Sequence, residues 1–472
     1  MLSGIYLVLI LIGFSEARII NIPDDYPTIS EAITASVSGD TVMVGPGEYS
    51  EDINPSGKNI LISSSNGPDT TKIFGQILFE NGEDSTCIFR GFYVFEQSWA
   101  STILCRNSSS PVIEGNIIAD HFGYSGAGIS LTGTGRCIIL NNIIKINFNL
   151  YGSGGMYISG KNSTITQNIF IGNVSLGYGG TGGALEIHGH CELTYNLFYK
   201  NRSLGSPAGA FGYGGAIFRT MTPHQQLGAT IIANNTFFGN EATEDEDHGS
   251  GGAIYNFSSS PYDTLIIKNN IIAFNIASTG IGSGAKLDIN DSMYFAWDYN
   301  CVYENTVDGI DPGIHDVFAD PLFADTTNRD FSLEESSPCI DAGDPDSPFD
   351  PDSTRADIGA LFYDQSVDGI DDPGDPTGPY AFKLHQNYPN PFNGRTVISY
   401  SLSDNEIVNL TVYSITGQRV IRLVDSERQS PGGHICIWDG CDSDGRVVAT
   451  GIYLYCLHIG DYRATKAMIL IK

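Results

Sequence analysis

The chemistry-bearing residues of this chain gather in a few short segments. Glu186 and His188, in ALEIHGHC, stand two positions apart and share one face of a strand. A carboxylate beside an imidazole is a pair that can take up and return a proton. Phe218, in GGAIF, and Tyr255, in GGAIY, occupy the same place in two look-alike segments. An aromatic pair so placed can lie against sugar rings. The run EATEDEDH at 241–248 brings Glu244, Asp245, Glu246 and Asp247 together. Their hard oxygens suit Ca²⁺; alternatively, one of them is the second carboxylate that glycoside hydrolysis requires beside Glu186. A uronate lyase needs a charge that neutralises the substrate carboxylate and a base for the proton. Arg219 and His188 are the residues available for those tasks, without a spacing signature. The plainer readings stand beside these: a solvated Glu and His on a strand surface, and an acidic solvated turn.

The elements that must position these residues come from a repeat. An Asn followed by apolar residues recurs at Asn116, Asn142, Asn168, Asn196, Asn235, Asn270 and Asn300, at spacings of 26, 26, 28, 39, 35 and 30. Glycine-rich segments at 126–130, 154–158, 182–187, 214–218 and 251–255 fall between them, and a β-prone run precedes most of these asparagines. Three short strands per period, separated by turns, predict one rung of a parallel β-helix. No 3.6-residue periodicity supports a helical solenoid. Stacked asparagines tolerate left-handed turns and can bond their equivalents above and below. Extra residues accumulate on both flanks of the Gly-Gly strands at 214 and 251, which predicts two walls of a groove. If Leu185, Ile217 and Ile254 point inward, then Glu186, Phe218 and Tyr255 point out, one rung apart.

Composition narrows the classes. The 472 residues carry 24 Lys+Arg against 54 Asp+Glu, a formal charge of −30, with 55 glycines. Nucleic acid and anionic lipid are therefore poor partners. Residues 1–17 read as a secretory signal, with an apolar run at Ile5–Ile12 and a small-x-small cleavage pattern at Ser15-Glu16-Ala17. Nine cysteines leave at least one unpaired within the chain. Cys137 and Cys191 share a column two rungs apart, roughly 10 Å, too far for a disulfide; Cys436 and Cys456 are candidates to pair across neighbouring strands. Thr28-Ile29-Ser30-Glu31 is a capping box opening a helix that Gly39 ends. Residues 364–379 hold five Asp, three Pro and three Gly and read as a solvated linker.

Residues 22–53, with Gly39-Asp40 and then Gly47-x-Tyr49-x-Glu51, resemble the start of pectin lyase-like, right-handed parallel β-helix proteins. That resemblance implies an all-β fold over 18–363, with sugars lying along one parallel sheet. The Asp-Phe-Ile-Phe-Gly segment of pectin methylesterases is missing, as is the Asn-Thr-Asp motif of polygalacturonases, and of their Gly-His-Gly the chain offers only Gly189-His190-Cys191. Residues 319–361, with Asp320-Pro321-Leu322-Phe323 and Ser337-Pro338-Cys339-Ile340-Asp341-Ala342-Gly343, resemble the terminal segment of bacterial surface β-helix proteins, read as a last rung and cap. Residues 380–472 resemble the sorting domain of proteins exported by type IX secretion, on Leu384 to Asn393, Trp438-Asp439-Gly440, Gly451-Ile452-Tyr453 and Lys466-Ala467-Met468. This implies a small β-sandwich and an outer-membrane secretion machinery as partner. The expectation for the whole is a secreted or cell-surface protein that binds extracellular polysaccharide, with lyase or hydrolase chemistry open to it. The alternative is a non-catalytic adhesion or spacer protein.

Overall fold

The computed structural model describes residues 17–365, apart from 97–99, 124–127, 177–180, 206–211, 222–227, 244–248, 279–281, 291 and 353, together with most of 383–470. The chain forms two compact units: residues up to Asp346 with Ala356–Tyr363, and Ser347–Arg355 with the residues from Asp364 onward. The first is a right-handed parallel β-helix, with sheets of eleven, ten, nine and six strands among the described residues.

One turn of the coil shows how the sequence winds. Ile138–Leu140 runs along the first sheet and Ile143–Lys145 along the second; Phe148–Asn149 forms a short third strand, and Met156–Ile158 a fourth. From the turn containing Phe122–Gly123 onward a coil thus has four strands rather than the expected three. Alternate side chains point inward and stack: Phe170, Phe198 and Phe237 lie 4.8 and 4.7 Å apart, nearly parallel. Fully buried isoleucines, Ile139, Ile144, Ile165, Ile232 and Ile272 among them, fill much of the remaining interior.

The extra strand creates a second corner, and with it a second asparagine ladder. The first runs through the seven expected residues. Asn142 Nδ2 donates to Asn168 Oδ1 at 3.0 Å, and Asn168 Nδ2 to Asn196 Oδ1 at 3.0 Å. The second runs through Asn147, Asn173, Asn201, Asn240, Asn275 and Asn305, with the same bonds at 2.8–3.0 Å. After the first of each ladder, every ladder oxygen also accepts the backbone N–H of the preceding asparagine, as Asn196 Oδ1 does from Asn168; Asn116 and Asn147 accept from Phe92 and His121. The first ladder ends on Asp316, whose Oδ1 takes the next place and accepts the Asn300 N–H at 2.8 Å.

The left-handed residue at each corner is the one before the ladder asparagine, not the asparagine itself. Gly115, Asn141, Gln167, Tyr195, Asn234, Asn269 and Tyr299 hold φ between 53° and 61° at the first corner. At the second corner even Ile146 is held at φ 54°, where a β-branched residue is strained.

At the amino end, helix Ile29–Ala35 has Thr28 as its N-cap, accepting from the Glu31 N–H at 3.2 Å, and it ends at Ser36, before Gly39. Glu51 accepts the Ile29 and Ser30 N–H groups at 2.9 and 2.8 Å, and the Tyr49 hydroxyl donates to the Gly45 carbonyl. The Gly-x-Tyr-x-Glu segment therefore ties the capping helix to the coil.

The segment after the last turn is not a further rung. A hairpin of Phe323–Asp325 and Asp330–Leu333 lies back on the second sheet, with Phe331 packed on Tyr199 and Phe238 at 5.3 and 5.2 Å. Asn234 Nδ2 donates to the Asp357 carbonyl, the Gly359 N–H to the Asn269 carbonyl and the Ala360 N–H to Thr236 Oγ1. This return strap covers outward residues of the coil that would otherwise be wet, Ile271, Ala273 and Cys301.

The second unit holds antiparallel sheets of three and four strands among the described residues. They share a core of Trp438, Tyr400, Tyr455, Ile398 and Leu410, consistent with the expected sandwich. Almost all of the expected linker, 364–379, lies outside the described residues.

The ladder geometry makes two outcomes checkable by denaturant unfolding. Asn196→Ala removes the amide that serves Asn168 on one side and Asn235 and the Ile165 carbonyl on the other, and should cost about 3 kcal/mol or more in unsatisfied buried groups. Ile146→Asn relieves a left-handed β-branched residue whose side chain is largely exposed, and should gain about 1 kcal/mol.

Candidate functional site

The fourth sheet carries the predicted site residues on its outer face. Parallel register places Tyr157 beside Glu186, Glu186 beside Phe218, Phe218 beside Tyr255, Tyr255 beside Lys286, and Lys286 beside Asp308. Six consecutive turns therefore present one column of side chains, spaced by the inter-strand distance of about 4.8 Å. A second column, two residues on, includes Thr220, Phe257 and Asp288 in register. The Gly-Gly segments that lead into this sheet are crowded by neighbouring turns. A Cβ on Gly215 would sit 2.1 Å from the Gly252 carbonyl oxygen, so these turns admit only glycine there.

Glu186 and His188 do meet. His188 Nε2 lies 2.6 Å from Glu186 Oε1, and Glu186 Oε2 accepts the Thr181 hydroxyl at 2.8 Å and the Ser153 N–H at 3.2 Å. Both carboxylate oxygens are engaged within the fold, and the Glu186 residue is only 8% exposed. The imidazole is the more open partner, with 30% of its side chain exposed. Glu186 thus orients His188, and His188 is the member of the pair placed to meet a ligand. The Tyr157 ring lies 5.4 Å from the imidazole; burial first, and then the Glu186 charge, push its phenol upward.

Phe218 and Tyr255 stack on each other, centroids 5.8 Å apart and planes within 12°. Tyr213 closes over the pair, 4.4 Å from Tyr255 and 6.2 Å from Phe218. Beyond Tyr255, Lys286 bridges Asp288 at 3.2 Å and Asp308. Those bonds, Asp308 foremost, raise its ammonium pKa. Burial, followed by Asp288 and Tyr213, also raises the Tyr255 phenol.

Arg219 is not part of this face. It follows Phe218 and so points into the coil, where it is fully buried. Its guanidinium donates to Asp263 Oδ1 at 2.5 Å, Asn256 Oδ1 at 2.7 Å and Thr230 Oγ1 at 3.0 Å. The alternation that turns Phe218 outward turns its neighbour inward, so Arg219 cannot neutralise a substrate charge at the groove.

The acidic residues Glu244, Asp245, Glu246 and Asp247 lie outside the described residues. Among the described residues no group of three or more His, Cys, Asp or Glu side chains is placed to hold a metal ion. Sequence reasoning missed Tyr157, Tyr213, Thr181 and Lys286. Lys286 stands four residues after Gly282 in GSGAK, as Tyr255 stands four after Gly251, so the register already in hand would have found it. Thr181 and Tyr213 are joined by an isolated parallel bridge before the strands begin and carry no such signal.

Cys87, Cys105, Cys137, Cys191, Cys301, Cys339 and Cys456 are free thiols. Cys137, Ser163 and Cys191 occupy successive turns, with the Cys137 N–H on Ser163 Oγ, consistent with two rungs between the cysteines. Cys436 pairs with Ile398 in one sheet of the second unit and Cys456 with Thr411 in the other, so the two are not on neighbouring strands.

Residues 224–343, about a quarter of the chain, match a family described as disaggregatase related. No curated protein matches. Among solved structures, the chain is similar to the PL6 family alginate lyase AlyGC, at 14% identity and a TM-score of 0.23, over 68% of this chain and 56% of that one. It is also similar to an arginine-to-alanine mutant of that enzyme, at 12% identity and a TM-score of 0.19, over 72% and 58%. The chain thus spans little more than half the length of those structures, and likeness at these scores carries no functional argument.

The interior place of Arg219 gives a test. Arg219→Met leaves Asp263 buried without its cation and should cost about 3–5 kcal/mol, read as a lower denaturation midpoint. The protein that remains folded should keep any ligand binding of the outer face. Lost binding in fully folded Arg219→Met protein would return Arg219 to the site.

Proposed function

We propose that this is an extracellular polysaccharide-binding β-helix protein that lays a glycan along the outer face of its fourth sheet. The observation that carries this reading is the aromatic cluster of Tyr213, Phe218 and Tyr255, held in register with the Glu186–His188 pair one turn away. Aromatic rings offer apolar surface to sugar C–H groups, while flanking polar side chains fix hydroxyls. His188, oriented by Glu186, is the group placed to exchange a proton with a bound sugar, which leaves cleavage open to the same site. The match of 224–343 to a disaggregatase-related family spans the strands that bear Tyr255 and Lys286. The double asparagine ladder favours a second reading, a rigid non-catalytic spacer. For residues 380–472, the export role rests on their sequence resemblance.

A glycan array and a panel of polysaccharides decide between the readings. Intact protein should bind at least one polysaccharide, and Phe218→Ala with Tyr255→Ala should weaken that binding about tenfold or more. Glu186→Gln should keep binding and lose any cleavage. Protein that neither binds nor cleaves any glycan leaves the spacer. In cells, deletion of 380–472 should strand the β-helix on the inner side of the outer membrane; unchanged export would remove the sorting role. A melting temperature unmoved by chelator would remove calcium from the acidic loop.

A further inference from the structure

The return strap meets the coil at a pair of thiols. Cys301 opens the last strand of the second sheet and points outward; Cys339 belongs to the strap. Both are fully buried, and they share one small apolar cluster with Ile271, Ala273, Leu333 and Ile358. The neighbouring Cys301 thiol, ahead of burial, lifts the Cys339 thiol well above its usual range, and the Cys301 thiol also reaches the Ala319 carbonyl at 3.4 Å. Backbone bonds fix both residues: the Cys301 N–H is held by the Asn270 carbonyl, and the Cys339 carbonyl accepts the Ile358 N–H. Two buried thiols in one cluster, one on each of two separately laid elements, form the starting arrangement that a disulfide between those elements needs.

We propose that Cys301 and Cys339 are a cross-linking site, at which oxidation fastens the return strap to the side of the β-helix. The oxidant is a small-molecule or protein disulfide. One of the two thiols, as thiolate, attacks it and forms a mixed disulfide while releasing one reduced thiol. The other protein thiol then attacks the mixed disulfide, the Sγ–Sγ bond forms, and the second reduced thiol leaves. Two protons and two electrons pass from the protein to the oxidant. Because both thiols are buried once the strap is down, the exchange belongs to its docking or to its transient lifting.

Trypsin provides a direct reading. Arg329 stands exposed at the tip of the strap hairpin. Cleavage at Lys286, Arg329 and Arg355 yields peptides 287–329 and 330–355, which contain one cysteine each, Cys301 and Cys339. Full-length protein equilibrated with oxidised glutathione should give these two peptides joined, two hydrogens lighter than their sum, and separable by dithiothreitol. Cys339→Ser should abolish the joined species. Dithiothreitol should lower the melting temperature of oxidised wild-type protein by about 5 °C and leave that of the Cys301→Ser variant unmoved. Recovery of Cys301 and Cys339 as separately alkylated peptides after oxidation, or of either one joined to another cysteine, would overturn the proposal.

Discussion

A buried asparagine brings two N–H donors and an acceptor out of water and must have all of them satisfied. In this coil backbone carbonyls take part of the donor capacity, and the equivalent amides one turn away take the rest. Each ladder residue therefore fixes its neighbour's axial position to within the tolerance of a hydrogen bond. Two such columns, at adjacent corners, remove the freedom of any turn to slide or rotate against the next. Hydrophobic stacking of Phe170, Phe198 and Phe237 supplies much of the burial, but apolar contacts alone are non-directional and would tolerate a slip that the amides forbid.

The outer face inherits that register. Tyr157, Glu186, Phe218, Tyr255 and Lys286 come from turns as far apart in sequence as 129 residues, yet they form one line. Insertions of unequal length between turns leave the line undisturbed, because the strands are pinned at the corners and only the loops absorb the difference. Strand alternation then separates two roles that sit side by side: Phe218 faces outward to a ligand, and Arg219 faces inward to Asp263.

Much of this was legible in the chain. The recurring Asn landmarks and Gly-Gly segments implied stacked turns, and the assumed inward positions of Leu185, Ile217 and Ile254 placed Glu186, Phe218 and Tyr255 correctly. The second ladder stands five residues after the first at every landmark from Asn142 onward. It went unread because a single corner was assumed per landmark. Arg219 was misassigned by weighing its charge above its parity. The resemblance of 319–361 to a terminal segment implies a last rung and cap, whereas its antiparallel hairpin depends on contacts with Tyr199 and Phe238 that are remote in sequence. Thr181 and Tyr213 enter the groove through loops, where no period constrains position.

Asp316, which terminates the first ladder, has a further consequence. From Asn116 to Asn270 each side-chain amide in that column points an N–H toward the carboxyl end of the coil, onto an oxygen that faces the amino end. The individual moments add along the axis, as peptide moments do in an α-helix, so the stack has a positive pole at its final turn. A carboxylate stands at that pole, partly buried and received by the Asn300, Gly313 and Trp297 N–H groups. The β-helix thus ends as a well-capped α-helix begins, with an anion seated against converging N–H donors.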